Sequence, residues 1–145
     1  MSLKQLADHI LAVGNGTVTN LQLQKVLFFT MGIALRRGNE EDILYFKKIY
    51  NDDFEKWRYG PVVPSLYFKY NQFGDKPIND TGEYHAQFEK FNEAIQAFLS
   101  ADIYKLVAIS HKMDAWKNYE EEILTGQFVA PYSFEEILKD FTKEG

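Results

Sequence analysis

The stretch "TNLQLQKVLFFTMGIALRRG", residues 19–38, decides the fold because it predicts a long helix that is apolar on nearly every face. Thr19 and Gln22 form a capping box that marks the start of this helix. Gly38 is placed to end it in a left-handed conformation. Since a helix without a polar face has to be surrounded by protein, we predict a buried central helix at about residues 20–37.

Apolar residues recur at intervals of three and four in several segments on both sides of the central helix, which indicates further amphipathic helices. These helices are predicted at about residues 3–13, 64–73, 84–98, 103–110, 114–124 and 134–141. Ser100 is expected to cap the helix that begins near residue 103. Ser133 and Glu136 form a second capping box before the last helix.

The segments 43–50 and 54–59 differ from the rest because the first is rich in aromatic and β-branched residues and the second contains three aromatic residues in six. Asp52 and Asp53 lie between them and are typical turn residues, without the regular spacing of a calcium loop. We therefore predict a small β-hairpin at about residues 43–58. The expected fold class is mainly α: a single compact multi-helix domain over residues 1–145 with this one hairpin.

Length, cysteine content, hydropathy and net charge limit the classes of protein to which the chain can belong. A chain of 145 residues can bury a hydrophobic core without disulfides, and the absence of cysteine fits a reducing cytoplasm, where we expect the protein to lie. No apolar run approaches the roughly 18 residues that a membrane span needs, so no membrane partner is expected. The net charge of −5 argues against general binding of nucleic acid and is compatible with a basic protein partner.

The sequence contains no pattern that indicates catalysis. Its three histidines do not form a metal-binding pair on one helix face, and no nucleophile motif is present, so we predict no catalytic residue, no metal and no cofactor. His111, near Asp114 and Trp116, has two interpretations. It is a base or ligand, or it ends a helix, bonds a carbonyl group and packs on the tryptophan, which the sequence favours.

The segment "FEKWRYGPVVPSLYFKY", residues 54–70, is the best candidate for a binding surface. Tryptophan and tyrosine are common anchors of protein interfaces, and a turn fixed by proline holds them in place before binding. The alternative is that the rings only pack the hairpin onto the helices, with Gly60 permitting the turn. Both interpretations stay open. The candidate partner-binding residues are Trp57, Tyr59, Pro61, Val62 and Tyr67.

Three segments in this order, "TNLQLQKVLFF", "FEKWRYGPVVPSLY" and "LVAISHKMDAW", resemble the Panacea domain of SocA-like antitoxins and phage-associated prokaryotic proteins. The resemblance extends from about Thr19 to Trp116. It departs from the family pattern at Phe28, where a tyrosine is common, and in the charged and aromatic stretch before Phe54. The matching residues that we expect to be structural are Asn20, Gln24, Lys25, Gly60, Pro64, His111 and Trp116.

The resemblance implies a helical core with a small β element, no enzymatic activity, and a role as the antitoxin of a toxin–antitoxin pair. The partner would be a toxin protein, encoded by an adjacent gene and neutralised by direct contact. The family also implies an alternative, an adaptor that delivers the toxin to a Clp-type protease. A homodimer and an uncharacterised enzyme that uses His111 are further alternatives.

Overall fold

The computed structural model of the protein describes residues 2–143, so the predicted domain of residues 1–145 extends slightly beyond the described part at both ends. The described chain is mostly helical and has one two-stranded antiparallel sheet, which confirms the predicted fold class. Its helices are α1 (Leu3–Gly14), α2 (Asn20–Arg37), α3 (Glu40–Ile49), α4 (Pro64–Tyr70), α5 (Asn92–Ser100), α6 (Ile103–Lys112), α7 (Asp114–Lys117), α8 (Glu120–Leu124) and α9 (Phe134–Thr142). The strands are β1 (Glu55–Trp57) and β2 (Gly60–Val62), and short 3-10 helices occupy Asn71–Phe73 and Ala86–Phe91.

Helix α2 forms the centre of the fold, as the sequence predicts. It packs against α1, α3, α4, α5, α6, α9 and β2, and buried residues line it on nearly all sides. The capping box of Thr19 and Gln22 is present at its start. At Gly32 a β-carbon would lie 2.2 Å from ring atoms of Phe141, so this glycine lets α9 lie directly on α2. Gly38 is extended (φ −71°), not left-handed as predicted.

Aromatic rings fill the space between α2 and its neighbours. The ring of Phe28 lies at the middle of this cluster, with ring centroids 5.2 to 5.5 Å from those of four other aromatic residues. Those four are Phe29, Phe54, Tyr132 and Phe141. Edge-to-face contacts of this kind are favourable beyond the area that they bury. A tyrosine at position 28 would need a hydrogen-bond partner here, whereas phenylalanine needs none.

The predicted bounds of the hairpin are wrong. Residues 43–49 belong to α3, and the hairpin consists of Glu55–Trp57 and Gly60–Val62. Asn39 caps α3 by accepting a hydrogen bond from the backbone of Asp42 at 2.9 Å, and the first turn of the helix is acidic while the last is basic. The acidic residues near the start and the basic residues near the end of α3 interact favourably with the helix dipole. This interaction and the cap favour a helix, although aromatic and branched side chains are common in strands.

Other differences concern the ends of helices. The helix predicted at 84–98 begins as the 3-10 segment and continues as α5, and the helix predicted at 114–124 is divided into α7 and α8. Ser100 is the last residue of α5 and does not cap α6. Asp102 does so instead, because its carboxylate accepts a hydrogen bond from the backbone of Tyr104 at 2.9 Å. The second capping box, Ser133 with Glu136, is present as predicted.

Candidate functional site: a cleft beside the hairpin

The hairpin turns at Arg58 and Tyr59, and Gly60 makes the turn possible. Gly60 has φ +98°, a conformation that other residues rarely adopt. A β-carbon there would lie 2.5 Å from Oγ of Ser110 and 3.1 Å from Cε of Lys25. The absence of a side chain therefore lets the turn lie directly on α2 and α6.

Helix α2 holds the hairpin through side chains that bond to backbone groups. Gln24 accepts a hydrogen bond from the backbone N–H of Val63 at 2.9 Å, and Nζ of Lys25 donates one to the carbonyl oxygen of Pro61 at 3.0 Å. Asn20 donates to the carbonyl oxygen of Tyr67 at 3.0 Å and accepts from the amide of Gln24 at 3.1 Å. These three polar residues are buried, so they fix the positions of β2 and α4 relative to the core.

Helices α6 and α7 hold the opposite strand. The indole N–H of Trp116 donates to the carbonyl oxygen of Trp57 at 2.8 Å, and Nε2 of His111 bonds the carbonyl oxygen of Arg58 at 2.8 Å. The rings of His111 and Trp116 are stacked, with centroids 3.8 Å apart. Burial is the main cause that lowers the pKa of His111. This is the packing geometry that the sequence favours for His111.

Between the hairpin, α2 and α4 lies a cleft with a volume of about 310 Å³, which we call the hairpin cleft. The residues that line it come from α2, the hairpin, and the segment from α4 to Asp75. They are Asn20, Leu21, Gln24, Lys25, Trp57, Arg58, Tyr59, Val62, Tyr67, Asn71, Gly74 and Asp75. Most of the surface that these residues expose to the cleft is apolar, and the polar residues among them provide groups that can orient a bound molecule.

Four aromatic residues, which we call the aromatic rim, lie at or beside the cleft: Trp57, Tyr59, Tyr67 and Phe68. The rings of Trp57 and Tyr67 meet edge to face with centroids 5.1 Å apart, and Phe68 contacts both rings. Tyr59 is 58% exposed and Phe68 60% exposed. The rim therefore presents large apolar side chains to solvent, while the contacts among three of its rings hold them in place.

The structure brings four of the five candidate partner-binding residues together in the wall of the cleft: Trp57, Tyr59, Val62 and Tyr67. Pro61 is buried, and its carbonyl oxygen is occupied by Lys25. Sequence reasoning missed Phe68 and Arg58. The signal for Phe68 was its place next to Tyr67 in a helix that already has buried Leu66 and Tyr70, because a further apolar residue between them faces solvent.

Lys25 is the unusual group in the cleft. Its side chain is fully buried, and within residues 2–143 no carboxylate lies within ion-pair distance of Nζ. Burial lowers the pKa of Lys25 from 10.5 to about 7. The amine therefore changes its charge near neutral pH, which an exposed lysine does not do.

A second groove, of about 420 Å³, lies between β1 and the loop 126–131, and Trp57 and Arg58 line both this groove and the cleft. The backbone N–H of Tyr132 anchors one end of this loop by donating to the carbonyl oxygen of Phe54 at 2.8 Å. Phe128 in the loop is 90% exposed, the highest value among the exposed large apolar residues. Phe128 is not among the candidate residues of the sequence analysis.

Searches for two other kinds of feature gave negative results over the described residues. In residues 2–143 no group of three or more histidine, aspartate or glutamate side chains is arranged to hold a metal ion. Over the same range, no helix combines the length and the apolar character that crossing a bilayer requires.

Comparison with known proteins gives one match. The family model described as "Antitoxin SocA-like, Panacea domain" matches residues 23–117, which is more than half of the chain. The matched range contains the hairpin, α4, His111 and Trp116, and therefore most of the residues that build and line the cleft. No curated protein and no solved structure matches the chain.

Proposed function

The chain belongs to the family of SocA-like antitoxins with the Panacea domain, and on this premise we propose that it neutralises a toxin protein by binding it directly through the hairpin cleft and the aromatic rim. The observation that carries the proposal is the exposure of Tyr59 and Phe68 beside a concave apolar surface. Exposed aromatic residues next to a pocket are the usual anchors of a protein interface.

The second support is the rigidity of the surface. Buried side chains of α2 bond to the backbone on one side of the hairpin, and Trp116 and His111 bond to it on the other. A surface that is already ordered in the free protein loses little conformational entropy when a partner binds. Among the residues that match the family pattern, Gln24 and Lys25 are buried and fix the hairpin, whereas Tyr59 is exposed and available for contact.

Coexpression with the product of an adjacent gene tests the proposal. We expect the two proteins to copurify and the toxicity of the partner to be relieved. Tyr59→Ala and Tyr67→Ala should weaken both effects without unfolding the protein. Tyr104→Ala is the matched control, because Tyr104 is a 65% exposed tyrosine outside the cleft. If Tyr59→Ala and Tyr67→Ala still relieve the toxicity but Tyr104→Ala does not, the hairpin cleft is not the surface that binds the toxin.

The exposed Phe128 favours one alternative, an adaptor that passes the toxin to a Clp-type protease. Such an adaptor needs a second surface, and the groove beside the loop 126–131 offers one, which adjoins the cleft at Trp57 and Arg58. An adaptor shortens the lifetime of the toxin in the cell, whereas an antitoxin that sequesters its toxin does not. If Phe128→Ser lengthens the toxin half-life while Tyr59→Ala reduces binding, the adaptor is the correct function.

A further inference from the structure

The charge balance of the hairpin cleft differs from that of the whole protein. The chain has a net charge of −5, yet the cleft is lined by two basic residues, Lys25 and Arg58, and one acidic residue, Asp75. His111 does not line the cleft; its ring stacks on Trp116 and bonds the carbonyl oxygen of Arg58. The other titratable side chains that line the cleft are Tyr59 and Tyr67.

Lys25 lacks the partner that a buried lysine normally has. Its one hydrogen bond among the described residues goes to the carbonyl oxygen of Pro61, which is neutral and uses one of the three donors of an ammonium group. Burying a cation without a counter-ion is costly. A carboxylate brought into the cleft would supply a charge-assisted hydrogen bond, which is roughly twice as strong as a neutral one.

The remaining donors around the cleft indicate which kind of carboxylate fits. A chain terminus is usually captured by several free backbone N–H groups. Here the N–H of Val63 is already bonded to Gln24, and the amides of Gln24 and Asn20 donate to groups inside the protein. The buried lysine head group lies beside apolar side chains, and Arg58, the other cation of the cleft, is exposed, which suits a side-chain carboxylate next to an apolar residue.

We propose that the hairpin cleft accepts an acidic side chain of the partner protein, flanked by an apolar residue, and that Lys25 is its counter-ion. This inference rests on the proposed function and specifies the chemistry of its site. In the free protein Lys25 is covered and bonds Pro61; because an ammonium group has three donors, Lys25 keeps this bond and donates a second hydrogen bond to the incoming carboxylate. The apolar neighbour contacts Trp57 and Tyr67.

Blocked dipeptides test the inference without the partner. The acidic probe is N-acetyl-leucyl-glutamic acid α-amide, and the neutral probe is the same compound with glutamine. We expect the acidic probe to bind about tenfold more tightly in an NMR titration, the ratio for one additional charge-assisted hydrogen bond. The shifted amide signals should be those of residues 57–67. Lys25→Met should abolish the preference, and Arg58→Gln, which removes an exposed cation at the same cleft, should retain it.

A calorimetric measurement separates binding at Lys25 from a purely structural role. Near pH 8 the amine is largely neutral, so binding of the acidic probe should take up a proton, and the observed heat should depend on the ionisation enthalpy of the buffer. The neutral probe should show no such dependence. Equal binding of the two probes, no binding of either, or shifts confined to residues outside the cleft would overturn the inference. Thermal unfolding of Lys25→Met checks that the variant is folded.

Rescue experiments in cells distinguish failure of this inference from failure of the proposed function. If Tyr59→Ala abolishes neutralisation while Lys25→Met leaves it intact and the probes bind equally, the cleft binds the toxin and the inference is wrong. If the acidic probe binds as expected but no cleft substitution affects neutralisation, the chemistry assigned to the cleft is correct and the proposed function is wrong.

Discussion

Nζ of Lys25 donates a hydrogen bond to the carbonyl oxygen of Pro61 at 3.0 Å, and this contact joins the buried centre of α2 to the hairpin. The same helix therefore forms the core and supports the candidate binding surface. A change at Lys25 is therefore expected to affect stability and binding together.

The stability of the protein should depend on pH through Lys25. Burial lowers the pKa of this lysine from 10.5 to about 7, so between these values the unfolded chain binds more protons than the folded protein. The free energy of unfolding therefore rises with pH in this window. Relative to Lys25→Met, the wild type should gain about 2 kcal/mol between pH 7 and pH 9 in urea denaturation. A difference between the two proteins that stays constant over this range would contradict the assignment.

Gly60→Ala should destabilise the protein strongly because it combines backbone strain with a collision. The positive φ costs about 1 kcal/mol for alanine, and the contact with Oγ of Ser110 adds about 1–3 kcal/mol for overpacking. Gly126→Ala is the matched control, since Gly126 also has positive φ (+76°) but has no atom within 4 Å of the added β-carbon. Denaturation curves that show equal losses for the two variants would mean that the close approach to α6 is absent.

The two tryptophans should respond differently to replacement by phenylalanine. Both indole N–H groups donate at 2.8 Å, Trp116 to the carbonyl oxygen of Trp57 and Trp57 to the carboxylate of Glu55. Trp116 is 2% exposed, so its loss leaves an unpaired carbonyl and a cavity, at a cost of about 3 kcal/mol. The bond of Trp57 is exposed, and Trp57→Phe should cost less than about 1 kcal/mol. Thermal unfolding of both variants checks the ranking, and a reversed order would contradict the proposed anchoring of β1.

Much of the fold could be predicted because the capping residues and the pattern of apolar residues indicate the same helices. Thr19 with Gln22 and Ser133 with Glu136 mark helix starts, and the apolar run in α2 marks the central helix. Helix α3 was missed because its run of aromatic and β-branched residues is typical of a strand. The signal that could have identified it was Asn39 followed by three acidic residues, a helix start with the favourable charge at its positive end.

The cleft could be predicted only in part. The aromatic residues of the hairpin segment were recognised as a candidate surface from their type and from the rigid Gly60–Pro61 turn. That Lys25 lines the same cleft could not be derived, because a lysine in the middle of a helix is normally exposed and its burial here follows from how the hairpin lies on α2. Contacts between segments that are distant in the sequence decide whether a side chain such as that of Lys25 is buried. The periodicity of apolar residues within one segment does not predict these contacts.

The affinity of the purified protein for the product of the adjacent gene tests the central claim most directly, because it measures binding by the hairpin cleft without the rest of the cell. Calorimetry should compare the wild type with Tyr59→Ala and Tyr104→Ala, two exposed tyrosines of which only Tyr59 lines the cleft. We predict that Tyr59→Ala weakens binding about tenfold or more while Tyr104→Ala leaves it within about twofold of the wild type. Unchanged affinity for Tyr59→Ala, with a loss for Tyr104→Ala, would contradict the account.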